Sequence, residues 1–193
     1  KGVIDMIYLD HAATAPVPRA VADAMYEVLT EHYGNPSSIY SLGQKSRAAV
    51  DTAREQVATA LGATRVNEIY FTSGGSESDN WAIKGVAYAN RDKGKHIITS
   101  AIEHHAILHT CQYLEKQGYE VTYVMPDSRG VITAQQILDA VRPDTALVSV
   151  MLVNNELGNI YPIAEIAKGL SQKNPKTLLH THAVQALLKV PFS

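Results

Sequence analysis

From about residue 68 onward, the sequence alternates between short apolar runs rich in β-branched residues and longer stretches with helical periodicity. This alternation is typical of a mostly parallel sheet that carries helices on both faces. We therefore predict a three-layer α/β fold. The predicted strands are Glu68–Ser73, His96–Ser100, Tyr119–Met125, Thr145–Met151 and Thr177–His182, and the predicted helices are Gly75–Asn90, His105–Gln117, Thr133–Val141 and Ile163–Leu170.

Two further helices are predicted before the alternation begins. One follows the prolines Pro16 and Pro18, and the other covers Leu42–Leu61 and ends at Gly62. The intervening Tyr33–Tyr40 stretch has turn composition. We predict an N-terminal segment (residues 1–15), an N-terminal helical region (16–62) and a part of a larger domain (63–193). The apolar last residues favour an α/β fold that continues beyond Ser193.

Composition excludes several classes of function. The net charge is −2 and 46% of the 193 residues are hydrophobic, so neither a nucleic-acid partner nor disorder is indicated. No apolar run is long enough to cross a membrane, and the first residues lack the apolar core of a signal peptide. The single cysteine, Cys111, excludes an internal disulfide and falls on an apolar helix face, which favours a core position. A cytoplasmic protein is expected.

Ligands of parallel α/β sheets bind beyond the carboxyl ends of the strands, so polar residues that follow strands are the candidates for a site. Gly75 and Ser76 open a helix after a predicted strand, where free backbone amides suit a phosphate, although an ordinary helix start has the same composition. We predict an anion there. His104 follows the next strand and is predicted to face the ligand, whereas His109 is predicted to point elsewhere.

Two later segments add polar residues to the same predicted edge. Asn154, Asn155 and Glu156 follow one strand, and His180, His182 and Gln185 lie at the end of another. A metal site built from His104, His105, His180 and His182 is a weaker hypothesis, because their spacing matches no zinc pattern and no acidic ligand is evident.

Taken together, six segments resemble the cysteine desulfurases of the NifS/IscS type, in the class V aminotransferase group of fold-type I pyridoxal 5'-phosphate (PLP) enzymes. The segments are YLDHAATAPVP, YGNPSSIYSLGQKSR, FTSGGSESDNWAIKG, IEHHAILHTCQYLEKQGYEVTYV, VNNELGNIYPI and HTHAVQALLKVP. They occur in the family's order and spacing, and they correspond to about the first half of a family member.

The resemblance implies roles for individual residues. Gly75 and Ser76 match the turn that holds the PLP phosphate, and His104 matches the histidine that stacks on the pyridine ring and assists proton transfer. Asn155 and Gln185 match residues near the phenolic oxygen of the ring. The family is homodimeric, so the resemblance also implies a homodimer.

The sequence departs from the family at two points. The family's strand motif has an aspartate that pairs with the pyridine nitrogen. His182 occupies that position here, and an imidazole lacks a carboxylate's charge. This difference predicts weak or absent PLP binding, tightened by a change of His182 to Asp. The family's cofactor-linking lysine and sulfur-carrying cysteine are also missing, since Lys189 and Cys111 match other positions.

The resulting hypothesis is the N-terminal part of a PLP-dependent cysteine desulfurase large domain. The whole enzyme takes sulfur from L-cysteine to give alanine and a protein persulfide, for iron–sulfur clusters or other acceptors such as a scaffold protein. These 193 residues alone are predicted to be inactive. The alternatives are a non-catalytic binding or scaffold subunit, or one half of a split enzyme with a complementing chain.

Overall fold

A computed structural model describes residues 7–191 of the chain. They form two compact units, of which the first ends at Phe71 and the second begins at Thr72. The first unit contains α1 (Arg19–Glu31), α2 (Ser41–Leu61) and a 3-10 turn at Val66–Glu68. The second contains, in chain order, α3 (Gly75–Ala89), β1 (His96–Ser100), α4 (His105–Lys116), β2 (Glu120–Val124), α5 (Ala134–Asp139), β3 (Thr145–Ser149), α6 (Ile163–Lys173) and β4 (Leu178–His180).

In the first unit, α2 ends where the sequence predicts it to end. Gly62 adopts a left-handed conformation (φ 67°), and its amide closes the last turn of the helix onto Ala58 and Thr59. A residue with a β-carbon is strained in this conformation, so glycine there stops the helix. Ser46 links α2 to the preceding turn, because its hydroxyl donates to the carbonyl of His32 at 2.7 Å.

The second unit is built on a parallel four-stranded sheet with the order β2-β1-β3-β4. This confirms the predicted α/β class. The chain moves outward from β1 to β2 and then returns to the opposite side of β1, so the direction of winding reverses between β1 and β3. Ligands of open α/β sheets bind at such a switch point, beyond the carboxyl ends of the two strands.

Helices cover both faces of this sheet, as predicted. Successive strand residues point to opposite faces, so Ile97 and Leu147 enter one core whereas Ile98 and Val148 enter the other. The first core is completed by α3 and α4, and the second by α5 and α6. Buried members of the first core are Ile83, Ala87, Ile107, Cys111 and Leu114, and those of the second include Ile137, Ile166 and Leu170.

Two predictions about local structure have opposite outcomes. The capping box of α5 is confirmed, because Thr133 and Gln136 bond reciprocally to each other's backbone amides. The predicted strand Glu68–Ser73 is wrong. Glu68 ends the 3-10 turn, and Ile69 is extended (φ −94°, ψ 125°) but pairs with no strand among the described residues. Apolar, extended sequence does not make a strand without a partner for its hydrogen bonds.

None of the helices in the described part of the chain combines the length and the apolar character that crossing a bilayer requires.

Candidate cofactor site

The N-terminus of α3 is open, which suits an anion. Its N-cap residue is Gly74, which has no side chain with which to cap the first amides. The first helical bond comes only at Ser78, whose amide donates to the Gly74 carbonyl at 3.1 Å. A β-carbon built on Gly74 would meet no heavy atom within 4 Å, and Ser76 is exposed. The turn is therefore open beside Gly74, whereas a β-carbon on Gly75 would lie 3.0 Å from Val184. An anion bound at this turn stays a prediction.

Glu77 organises the loop that leads into this helix. Its carboxylate accepts hydrogen bonds at 2.7 Å from both the amide and the hydroxyl of Ser73. These bonds lower the pKa of Glu77. The carboxylate is therefore tied back to the loop on the N-terminal side of the helix, and Ser76 lies one residue before it.

A cavity of about 420 Å³ lies between the first turns of α3 and α4. Ser76 lines it from α3, and His104 lines it from the start of α4. Lys84 and Tyr113 lie on its wall, with the Lys84 ammonium 4.6 Å from the centroid of the Tyr113 ring. Two helix N-termini thus open onto one space that contains hydroxyl, imidazole and ammonium groups.

His104 is the N-cap of α4, and this position fixes its ring. Its Nδ1 accepts the Ala106 amide at 3.1 Å, so the ring hydrogen lies on Nε2. His105 and His109 are one helical turn apart, and their rings stack with centroids 5.3 Å apart. Both are exposed, as expected of solvated residues, but both also line the cavity.

The prediction that His109 points away from the side of His104 is therefore wrong. The spacing argument treats both histidines as helical. His104 precedes the first helical residue, so the angular period of the helix does not relate the two side chains.

The most closely coupled groups at this edge of the sheet are Asp79 on α3 and His182 after β4. Asp79 Oδ2 and His182 Nδ1 are 2.9 Å apart, and both side chains are buried. The hydrogen bond to Asp79 raises the pKa of His182. His180 lies on the other side of the carboxylate, with Nε2 3.7 Å from Asp79 Oδ1 and Nδ1 2.9 Å from the Ser149 hydroxyl. Burial lowers the pKa of His180, which disfavours a charge on its ring.

The rings of His104 and His182 are parallel, with an interplanar angle of 2° and centroids 5.5 Å apart. Two stacked contacts in succession need about 7 Å, because aromatic atoms pack about 3.5 Å apart. A third ring therefore does not fit between them. A planar ligand that stacks on the face of His104 turned towards His182 therefore lies beside the edge of His182.

Glu103 fastens the two loops at the switch point to each other. Its Oε1 accepts the Ser100 hydroxyl at 2.6 Å and the Met151 amide at 2.9 Å, which joins the end of β1 to the segment after β3. Burial raises the pKa of Glu103 to about 7. Its Oε2 is buried without a hydrogen-bond partner in the described structure.

Of the two adjacent asparagines, Asn154 is structural. It is buried, its Oδ1 accepts the amides of Glu156 and Leu157, and its Nδ2 donates to the Ile102 carbonyl at 3.0 Å. Asn155 is half-buried and donates from Nδ2 to Glu156 Oε1 at 2.8 Å. Its Oδ1 is the atom of this pair that remains suited to a ligand.

Gln185 is half-buried in the turn after β4, and its Oε1 accepts the Lys189 ammonium at 2.9 Å. The contact gives Lys189 a structural partner within the same turn. The role of Gln185 toward a ligand stays a prediction.

Sequence reasoning missed Asp79 and Glu103. Asp79 lies near the start of a predicted helix, where the helix dipole alone accounts for an acidic residue, but Asp79, Ile83 and Ala87 form one buried stripe of α3. An acid at an i, i+4, i+8 position with two apolar residues is the signal that identifies it, because a buried carboxylate requires a partner. The partner, His182, lies 103 positions away and is not visible from local pattern.

The histidine metal hypothesis gains no support from the described side chains, among which no three His, Cys, Asp or Glu groups converge on one point. The stacking of His104 on His182 explains part of this result. Stacked rings present faces to each other, whereas a metal ion is bound through lone pairs at the ring edges.

Comparison with known proteins places this chain in a family. The model of the "Aminotransferase class-V" family matches residues 7–193. The cysteine desulfurase IscS of Methanosarcina thermophila is 56% identical over 186 residues, which are 96% of this chain and 45% of that protein. The chain thus spans less than half the length of that relative.

Solved structures agree. A NifS-like protein superposes with a TM-score of 0.93 at 42% identity, over 97% of this chain and 51% of its own. A structure described as SspA in complex with cysteine gives a TM-score of 0.85 at 41% identity, over 90% of this chain and 49% of its own.

Proposed function

The chain belongs to the class-V aminotransferase family, and from that membership we propose that residues 72–191 form the phosphate- and ring-binding part of a PLP-dependent cysteine desulfurase. The similarity to an IscS cysteine desulfurase and to a structure with bound cysteine supports the choice of reaction and of L-cysteine as substrate. PLP supplies an electron sink for the reaction when it is bound.

The observation that carries the proposal is the opening of two helix N-termini onto one cavity that holds Ser76 and the ring of His104. The uncapped amides at Gly75 and Ser76, with the Ser76 hydroxyl, suit a phosphate dianion. The face of His104 suits a flat aromatic ring. The two features match the two ends of PLP, so the residues present fit this cofactor.

The remaining residues have roles in positioning and in holding protons. His104 keeps its ring hydrogen on Nε2, because Nδ1 is occupied by the Ala106 amide. Asn155 and Gln185 present amide groups near the phenolic oxygen of the cofactor in this proposal. Buried Glu103 holds the loops after β1 and β3 together.

The binding test uses 4'-deoxypyridoxine 5'-phosphate, which has the ring and phosphate of PLP but no aldehyde and therefore needs no lysine. We expect saturable binding to the purified protein by calorimetry. Ser76→Ala should weaken binding about 3- to 30-fold through loss of a charge-assisted hydrogen bond.

Ser78→Ala is the matched control, because Ser78 lies in the same helical turn, pairs with the Thr72 hydroxyl at 2.7 Å, and is absent from the cavity wall. Equal affinities for the wild type and both serine variants would contradict the assignment of the phosphate position.

Turnover by residues 1–193 alone is a separate expectation. With added PLP and L-cysteine, we expect no enzyme-dependent release of alanine, because the positions that match the family's lysine and sulfur-carrying cysteine are not among them. Amino-acid analysis of the reaction measures this. Alanine release that disappears in His104→Ala would show that another lysine of this chain performs the role. A homodimer or a complementing chain is likewise a proposal, which light scattering of the purified protein tests.

A further inference from the structure

The position of His182 presents a problem for cofactor binding, since PLP enzymes place a charged side chain, commonly an aspartate, against the pyridine nitrogen. A lone imidazole lacks that charge. We propose that Asp79 and His182 act as one anionic unit toward the ring nitrogen, with His182 as the contacting group and Asp79 as the residue that positions and charges it. This inference rests on the proposed function.

The hydrogen bond between the two side chains determines which nitrogen faces the ligand. Nδ1 of His182 lies 2.9 Å from Asp79 Oδ2, and a carboxylate only accepts hydrogen bonds, so Nδ1 carries a hydrogen. Nε2 is left on the opposite edge of the ring, and no side chain or backbone group of the described residues bonds to it. The adjacent carbon, Cε1, lies 4.0 Å from a β-carbon built on Gly75, which puts this edge of the ring beside the start of α3.

The charges of this pair balance in the same way as those of a single aspartate. With neutral His182, the pair carries one negative charge, and Nε2 offers a lone pair to a protonated ring nitrogen. With protonated His182, the pair is neutral, and Nε2 donates to an unprotonated nitrogen. The two arrangements differ only in the position of one proton, so the total charge is the same in both.

The hydrogen bond to Asp79 raises the pKa of His182, so its Nε2 is more basic than that of a lone imidazole and is a better acceptor for a hydrogen on the ring nitrogen. The other titratable groups that face His182 are His180 at the end of β4, Glu103 before α4, and His104 at the N-cap of α4. His180 is already bonded to Ser149, and burial lowers its pKa, so it does not provide the charge. Glu103 is bonded to Ser100 and Met151 rather than to His182.

Ring stacking supplies the second geometric argument. Because a third ring does not fit between His104 and His182, a ring stacked on the face of His104 that is turned towards His182 meets His182 at an edge of the imidazole. A parallel pair of rings thus gives the ligand one face contact and one edge contact. These are the two contacts that a pyridine ring with a nitrogen in its plane requires.

The test measures protonation of the ring nitrogen in the bound ligand rather than turnover. The probe is 4'-deoxypyridoxine 5'-phosphate labelled with ¹⁵N in the ring, and its ¹⁵N chemical shift is followed from pH 5 to 9 at saturating protein. Asp79→Asn keeps the size and the hydrogen bond but removes the charge. We expect this variant to raise the acid dissociation constant of the protonated ring nitrogen about tenfold or more.

Two variants make the result specific. Glu165→Gln is the control, because it removes an exposed carboxylate on α6 in the same unit, and it should leave the titration of the nitrogen within about twofold of the wild type. Combining Asp79→Asn with His182→Asp should restore wild-type protonation, since one carboxylate then lies at residue 182.

An unchanged nitrogen titration in folded Asp79→Asn that still binds the probe would overturn the inference and leave the proposed function intact. If Asp79→Asn does not fold, the variant His182→Gln is used in its place. A glutamine side chain can bond to Asp79 but takes up no proton. If the ring nitrogen of the bound probe then titrates as in the wild type, the inference is equally overturned. Failure of the wild type to bind the probe would overturn the proposed function itself, and the inference with it.

Discussion

Glu103 gives the sharpest prediction about stability, because it is a buried carboxylic acid with one unpaired oxygen. Its pKa of about 7 in the folded protein compares with an ordinary value of 4.5. Between these two pH values the folded protein holds a proton on Glu103 that the unfolded chain has lost, so the free energy of unfolding falls as pH rises. The difference in pKa corresponds to about 3 kcal/mol of the free energy of unfolding. This stability is lost between about pH 4.5 and 7, and above that window the contribution of Glu103 no longer changes with pH.

The variant Glu103→Gln isolates this contribution. Glutamine keeps an acceptor oxygen for Ser100 and Met151 and has no proton to lose, so it resembles the protonated acid. We expect the variant to gain about 3 kcal/mol on the wild type between pH 4.5 and 8. With an unfolding slope of 2–3 kcal/mol per molar urea, the gain raises the urea midpoint by about 1 M at pH 8 relative to pH 4.5.

Fluorescence of Trp81, the single tryptophan, measures this midpoint in the unit that contains Glu103. Exposed Glu165 on α6 provides the control, and Glu165→Gln should follow the wild type across the pH range. The reasoning is refuted if the midpoints of Glu103→Gln and the wild type stay a constant distance apart from pH 4.5 to 8, because the acid would then titrate alike in the folded and unfolded states.

Two backbone predictions use the same assay. Leu188 is exposed and has φ 62°, a conformation that is strained for a residue with a β-carbon. Leu188→Gly should remove about 1–2 kcal/mol of this strain and cost about 0.5–1 kcal/mol in added chain entropy, so the net gain in stability is up to about 1 kcal/mol. Leu188→Ala should show no gain, and an equal gain in both variants would contradict the strain argument. A β-carbon on Gly94 would clash with the Asp144 carbonyl oxygen, so Gly94→Ala should lower stability by about 1–3 kcal/mol. Gly85 on α3 has open space around it, so Gly85→Ala should raise stability by up to about 1 kcal/mol. No change in stability for Gly94→Ala would show that the loop moves to accommodate the methyl group without cost.

Local pattern was sufficient for most of the fold. The apolar runs around Ile97 and Leu147 identified the two central strands, and Gly62 and Thr133 marked helix ends through backbone chemistry that acts within a few residues. The Glu68–Ser73 prediction failed because pairing of a strand depends on a second strand that local sequence does not specify. In the candidate site, too, residues that depend on local pattern could be predicted, whereas residues that depend on a distant partner could not. Ser76 and His104 are candidates from the sequence alone because each closely follows a predicted strand, and their roles toward a ligand stay predictions.

Asp79 was missed because its interaction partner, His182, comes from the other end of the second unit. The resemblance to the family singled out His182 as a departure, treated its imidazole as isolated and therefore predicted that His182→Asp alone would tighten PLP binding. The structure corrects the premise. With Asp79 2.9 Å away, that single change would bring two carboxylates together, which disfavours ionisation of both.

The hydrogen bond between Asp79 and His182 also has an evolutionary consequence, which is epistasis between two positions 103 residues apart. Loss of Asp79 leaves a buried imidazole without its partner, and replacement of His182 by an apolar residue leaves a buried carboxylate alone, a defect that typically costs about 3–5 kcal/mol. Each position is therefore constrained by the residue at the other, and the order in which substitutions arise decides which intermediates remain folded. Libraries that vary the two codons jointly will recover functional combinations that successive single-site selection discards.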